Sequence, residues 1–313
     1  MRPLVTSIGP SLASVANDIA TSQTPVAIGT ATATFTNANA SIAATNSFVA
    51  GQVVTFTTTG QLPYPFRVNT PYYVISTGLS GSHFEVSGSY GGTAITPNTA
   101  AVGAIGLGGA GNYFPAAAGT QTVNFGGNVA LNGSLVAAGV ATLATPQRVL
   151  ITTTDTTTVF TINGTSSTGA LQNETVTGGG STVQSVLDYS TVTSITTNQG
   201  TTAAITVGTN GVGSTPWVRL DEWANTQVTI QVNVTGTVNW TLQSSLDDPN
   251  SAFGTAILPD AMNWVNTNDS AAVGATGDVQ TNFLFSPTYA RVVLNSGSGS
   301  VTATFIQADV VSR

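Results

Sequence analysis

From Val228 to Leu242 every second side chain is apolar: Val228, Ile230, Val232 and Val234, then, past Thr235-Gly236, Val238, Trp240 and Leu242. The positions between the first four carry Thr229, Gln231 and Asn233. Side chains two apart share one face of a strand, whereas a helix would scatter the set around its axis. The pattern therefore demands a sheet with one buried face, and Thr235-Gly236 reads as the turn of a hairpin made by the two runs. The same period closes the chain. Val292 and Leu294 lead into Ser296-Gly297-Ser298-Gly299, after which Val301, Ala303 and Phe305 line one face of a last strand.

Shorter runs of this kind fill the rest. Val53–Thr59 ends at Gly60, and Tyr72–Ser76 and His83–Ser87 follow with Gly-rich turns between them, the meander pattern. A Gly/Ala-rich stretch, Ala100–Gly111, reads as a linker or broad loop. Beyond it, Gln147–Thr153 and Thr158–Asn163 read as paired strands, followed by Leu171–Thr177, Ser190–Thr196 and Ala203–Gly208. Strands recurring about every ten residues are the mark of a sandwich or barrel. Near the start, Pro3, Pro10 and Pro25 break any regular element, so residues 1–30 read as an extended arm that packs on a neighbouring subunit or on its own chain. The expected fold class is all-β: tandem β-sandwich or jelly-roll-like domains with a short N-terminal arm. The expected divisions are the arm at 1–30, a small β-module at 31–112, a β-sandwich domain at 113–212 and a C-terminal β-sandwich domain at 213–313.

Charge is nearly absent. Only 6% of the 313 residues are charged, the net charge is −7, and the six basic residues are all Arg. Nucleic-acid binding needs a basic face that releases counterions, and no two Arg here are near each other in sequence, so no nucleic-acid partner is expected. With no Cys, disulfides, thiolate metal sites and thiol catalysis are excluded. His83 is the single histidine, which rules out His-cluster metal sites. No run of 18 apolar residues is present, so no membrane span is expected. Met1-Arg2-Pro3-Leu4-Val5 opens no apolar core of the signal-peptide kind, so synthesis in a cytoplasm without export by the usual route is expected.

Several stretches resemble virion proteins of tailed bacteriophages. Residues 113–313 carry Leu131-Asn132-Gly133-Ser134-Leu135, Pro146-Gln147-Arg148-Val149-Leu150-Ile151-Thr152, Phe160-Thr161-Ile162-Asn163-Gly164-Thr165 and Glu174-Thr175-Val176-Thr177-Gly178. A second pattern runs Gly236-Thr237-Val238-Asn239-Trp240-Thr241-Leu242-Gln243, then Leu246-Asp247-Asp248-Pro249, and finishes over Gly299–Ala308. Residues 48–92 resemble a small β-module inserted in phage capsid, tail and fibre proteins, through Gly51–Gly60, Leu62-Pro63, Tyr72-Tyr73-Val74-Ile75 and Phe84-Glu85-Val86-Ser87. The resemblance implies membership of the virion without a particular place in it.

The residues that could carry chemistry have plainer roles beside them. A glycosidase needs two carboxylates facing one cleft. The adjacent pairs Asp247-Asp248 and Asp221-Glu222 point to opposite faces on a strand, and Asp248-Pro249-Asn250 is a natural turn. His83, with Glu85 two residues on, reads as a surface or turn-capping histidine. Gly106–Gly111 and Gly178–Gly180 lack the Lys-Ser/Thr and helix of a phosphate loop. Trp240 alternates with Val238 and Leu242 and reads as core. Trp217 and Trp223 complete the tryptophans with Trp264, which, in Met262-Asn263-Trp264-Val265-Asn266, is the aromatic most suited to a sugar shelf or protein interface, though packing is its plainer role.

No catalytic, cofactor-binding or metal-binding residue is therefore expected, and no cofactor. The expected function is that of a non-enzymatic phage structural protein, a capsid decoration or attached accessory subunit that contacts capsid or tail proteins and forms homo-oligomers. The alternative is a tail or head fibre component that binds host-surface glycan. A capsule depolymerase stands third, for want of a convergent acid–base set.

Overall fold

Alternation says which face of a strand is buried but not which strands lie side by side. The computed structural model of the chain answers the second question for residues 3–10, 13–23, 29–100, 116–198, 200–201, 203–220, 227–250 and 257–307. The protein is all-β: antiparallel sheets carry the fold, and the only helical pieces among the described residues are two single 3₁₀ turns.

The Val228–Leu242 pattern forms strands Val228–Thr235 and Asn239–Ser245, yet the expected hairpin is not made. Val228–Thr235 pairs with Val279–Phe283 and Ser300–Gln307 in one sheet. Asn239–Ser245 pairs with Tyr289–Ser296 and Val265–Asn266 in another. The link is an arch that carries the chain from one sheet of a sandwich to the other. Gly236, at φ +81°, supplies a left-handed backbone at the crossing, and Gly297 does so, at φ +112°, between Tyr289–Ser296 and Ser300–Gln307. Both halves still send alternate residues into one core because that core lies between the two sheets. Trp240 sits fully buried there among Ile230, Leu242, Val292 and Phe305, with its indole Nε1 donating to the Gly277 carbonyl at 3.1 Å.

The middle of the chain forms an eight-stranded sheet. Its longest member, Thr182–Thr197, pairs with Val140–Thr152 along one edge and with Val159–Thr165 along the other. The expected pairing of Gln147–Thr153 with Thr158–Asn163 is therefore not made; a strand of 16 residues lies between them. Its length is the physical reason, since Thr182–Val192 serves one partner and Thr191–Thr197 the other, overlapping only at Thr191 and Val192. The neighbour of Val159–Thr165 on its far side is Leu171–Thr177, joined through the Ser166–Gly169 turn.

Residues 29–125 close into a six-stranded barrel. Val53–Thr58, Tyr72–Ile75 and His83–Ser87 lie side by side as a meander. The closing strand, Gln121–Phe125, comes from beyond the Gly/Ala-rich stretch and pairs with both Gly29–Phe35 and Val53–Thr58. That stretch beyond Ala100, with the residues up to 115, lies outside the described residues. The barrel is filled by rings: Phe56 meets Phe66 at 5.3 Å and Phe35 at 5.2 Å, and Phe48 packs edge-on to Phe84 at 4.8 Å. Such pairs add to the area they bury. Asn163, fully buried, ties the barrel to the central sheet by donating to the Gly51 carbonyl at 3.0 Å. Gly126 lets the two approach, since a Cβ there would overlap the Thr197 carbonyl.

The arm is two strands, each sewn into a sheet made much later in the chain. Leu4–Ile8 pairs with Ser300–Gln307, and Val15–Gln23 pairs with Ile205–Thr209. Ile8 belongs to the C-terminal core, and Ile19 and Ala20 belong to the central one. Deleting residues 2–22 removes these buried side chains and two edge strands, so it is expected to lower the melting temperature sharply or abolish soluble expression. Trp240→Ala is expected to cost about 3–5 kcal/mol in denaturant unfolding, for the emptied volume alone.

Candidate functional site

Two places gather polar and ionisable groups. The first lies where the central sheet meets the C-terminal sandwich. Asp188, on Thr182–Thr197, accepts a hydrogen bond from the Ser214 hydroxyl through Oδ2. Its Oδ1 lies 3.8 Å from Arg148 Nε, close enough for attraction but too long for a hydrogen bond. Arg291, buried to 3% exposure, adds its positive charge to the cluster. It donates through Nε to Gln243 Oε1 at 3.0 Å and lies with Cζ 4.1 Å over the Trp264 ring. A desolvated guanidinium over an indole is worth about 2 kcal/mol. Trp217 packs against Trp264 at 5.2 Å and against the central core.

Burial pushes the Asp188 carboxyl up, opposed by Ser214 and the two guanidinium groups. Burial also pulls Arg291 down to about 10, opposed by Asp188, so it stays cationic at neutral pH. Arg148 Nε and Asp188 Oδ1 face each other without a hydrogen-bond partner among the described residues. Through Ser214 and Arg291 the arrangement clamps the central sheet to the C-terminal sandwich.

Glu174 lies nearby. Its two oxygens accept from the Val186 and Leu187 amides, both at 2.8 Å, and its carboxyl is raised to about 7, chiefly by burial and secondarily by Asp260 and Asp188. Sequence reasoning passed over Glu174 because nothing in its spacing marks a carboxylate that folds inward.

The second place is a groove of about 710 Å³ on the flank of the C-terminal sandwich. The edge strands of both sheets, Val265–Asn266 and Val279–Phe283, open onto it. Leu246 (71% exposed), Val265 (53%), Leu284 (75%) and Phe285 (46%) line it with apolar surface. Asp247 and Asp269 also line it, and neither faces a cation within 4 Å among the described residues.

The residues singled out by sequence fall as follows. Asp247 accepts the Asn263 amide at 2.6 Å. Asp248 pairs with Arg219 at 3.1 Å through Oδ2 and accepts the Asn250 amide at 2.9 Å through Oδ1, the turn expected of Asp-Pro-Asn. His83 is exposed, with Nδ1 2.9 Å from Ser82 Oγ, and Glu85 shares its outer face. In the Gly178–Gly180 run, which turns the chain into Thr182–Thr197, the Gly178 and Gly180 amides donate to the Thr158 and Asp155 carbonyls. Trp240 is core, and Trp264 lies beneath Arg291 in the first cluster. Asp221, Glu222 and Trp223, and the Gly106–Gly111 run, lie outside the described residues. Among the described residues no three His, Asp or Glu side chains gather as a metal site, and no helix is long and apolar enough to cross a membrane. No protein-family model and no curated protein matches the chain.

Because the Glu174 carboxyl is raised from 4.5 to about 7, folding favours its protonated form. Its stabilising contribution is complete below pH 4.5 and is lost as pH rises through 7; with about 1.4 kcal/mol for each pH step, the loss is about 3 kcal/mol. Glu174→Gln keeps the shape without the titration. Its melting temperature is expected to fall less than that of the unaltered protein between pH 5 and 8.

Proposed function

We propose that the chain is a non-enzymatic structural protein of a tailed-bacteriophage particle, a decoration or accessory subunit that works by burying surface against other virion proteins. The observation that carries the reading is how the ionisable groups are used. Buried Arg291 and Glu174 and the nearly buried Asp188 are consumed in holding strands together, and buried Asp18 accepts from the Thr209 hydroxyl, while what faces outward at the C-terminal groove is apolar and edge-like. Catalysis needs tuned groups around a reacting atom, and contact needs apolar surface with hydrogen-bonding rims. The motif resemblance supplies the virion. The nearly uncharged surface suits contacts made by shape and hydrogen bonds, and open edge strands favour pairing between copies.

The fibre alternative needs an exposed aromatic shelf for sugar. Of the described tryptophans, Trp240 is fully buried and Trp217 and Trp264 pack on each other, which weighs against it.

Particles purified from cells making the chain test the proposal. The chain is expected to co-sediment with them at constant stoichiometry and to appear on the capsid or tail by immunogold labelling. Asp247→Asn, Asp248→Asn and His83→Ala are expected to leave host polysaccharide and cell wall untouched, as the parent does. A chain found only outside particles, or release of reducing sugar that one of these variants abolishes, overturns it.

A further inference from the structure

The groove on the C-terminal flank has a shape and a charge, and together they specify an occupant. Its walls are the outermost strands of two sheets. Among the described residues Val279–Phe283 ends the four-stranded sheet and pairs only with Val228–Thr235, and Val265–Asn266 ends the other and pairs only with Gln243 and Ser244. An outermost strand presents unpaired amides and carbonyls along its free side, which an extended chain satisfies and a globular surface does not. In such a chain side chains alternate between two faces, so one set can meet Leu284, Phe285 and Leu246 while the other is turned away from them.

Charge narrows the choice. Asp247 and Asp269 lie in the groove with no cation of the described chain within 4 Å. Asp269 is held below the usual carboxylate range by hydrogen bonds from Thr281 and the Ala271 amide, so it stays ionised. The chain has no Lys and a net charge of −7, which makes a second copy of this flank an ill-suited partner. The geometry points to an extended segment of a different protein, alternating apolar side chains with lysine or arginine, that adds as a strand to Val279–Phe283 and seats its apolar face on Leu284 and Phe285. This rests on the reading that the chain works by protein contact, and it names the contact.

The full chain is titrated by fluorescence anisotropy with a capped heptapeptide alternating lysine and valine, and with its glutamate counterpart. The lysine peptide is expected to bind saturably and the glutamate peptide not at all. Leu284→Gln is expected to weaken binding about tenfold at an unchanged melting temperature; Asp247→Asn with Asp269→Asn is expected to weaken it as much in a protein that stays folded at the titration temperature but melts lower, because Asp269 loses its charge-assisted hydrogen bonds. Hydrogen-exchange protection on binding is expected within Val279–Phe285. Equal binding of both peptides, no binding, or binding indifferent to these substitutions overturns the inference. So does saturable binding of host polysaccharide that Leu284→Gln abolishes, since it gives the groove to glycan. A chain that occupies particles but ignores the lysine peptide retires this inference alone, whereas a chain absent from particles retires the virion reading.

Discussion

The strand Thr182–Thr197 is the member on which the rest depends. Its backbone joins the two halves of the central sheet, and its side chains reach both neighbouring units. Ser194 donates to the Ala50 carbonyl and Thr193 meets the Tyr90 hydroxyl on the barrel side; Asp188 receives Ser214 and attracts Arg148 and Arg291 on the other. A strand of ordinary length, about five or six residues, could not serve both sides. The barrel and the C-terminal sandwich are thus located by one element, and strain along it is felt at both junctions.

Strand identity is legible in the sequence wherever a strand buries one face only. His83–Ser87 and Leu171–Thr177 coincide with their patterns, and Val53–Thr58 and Tyr72–Ile75 fall one residue short of theirs. Partnership is far less legible, because a hairpin and an arch give the same alternation: both direct every second residue to a core, and only the position of the partner differs. Thr235-Gly236 passes for a hairpin turn and crosses a sandwich instead, and the Ser296–Gly299 link crosses it too. A long central strand hides the same way: the sequence pattern marks Ser190–Thr196 alone, the second half of Thr182–Thr197.

The candidate sites divide along a similar line. The turn role of Asp248 is local chemistry, an Asx turn before Asn250, and local chemistry is readable. The Arg291–Trp264 contact and the inward Glu174 join residues far apart in sequence, and no spacing rule brings them together. The groove belongs to the same class, being made where the edges of two sheets coincide. With charges this scarce, the buried ones stand out once placed: removing one partner of a buried ion pair leaves the other uncompensated, a far larger penalty than the pair's net worth.

The seam between Leu4–Ile8 and Ser300–Gln307 has a consequence for how the molecule comes to exist. A ribosome emits the first of these strands nearly a whole 313-residue chain before the second. Barrel strands can find one another while synthesis continues, but the leading segment must wait, unpaired and apolar, until the trailing one emerges. Contacts of such long sequence separation close slowly and leave strand edges open in the meantime. Leu4–Ile8 is therefore placed long after it is translated, and during that interval the growing chain offers an open edge to whatever lies nearest, a sister polypeptide on the same message included.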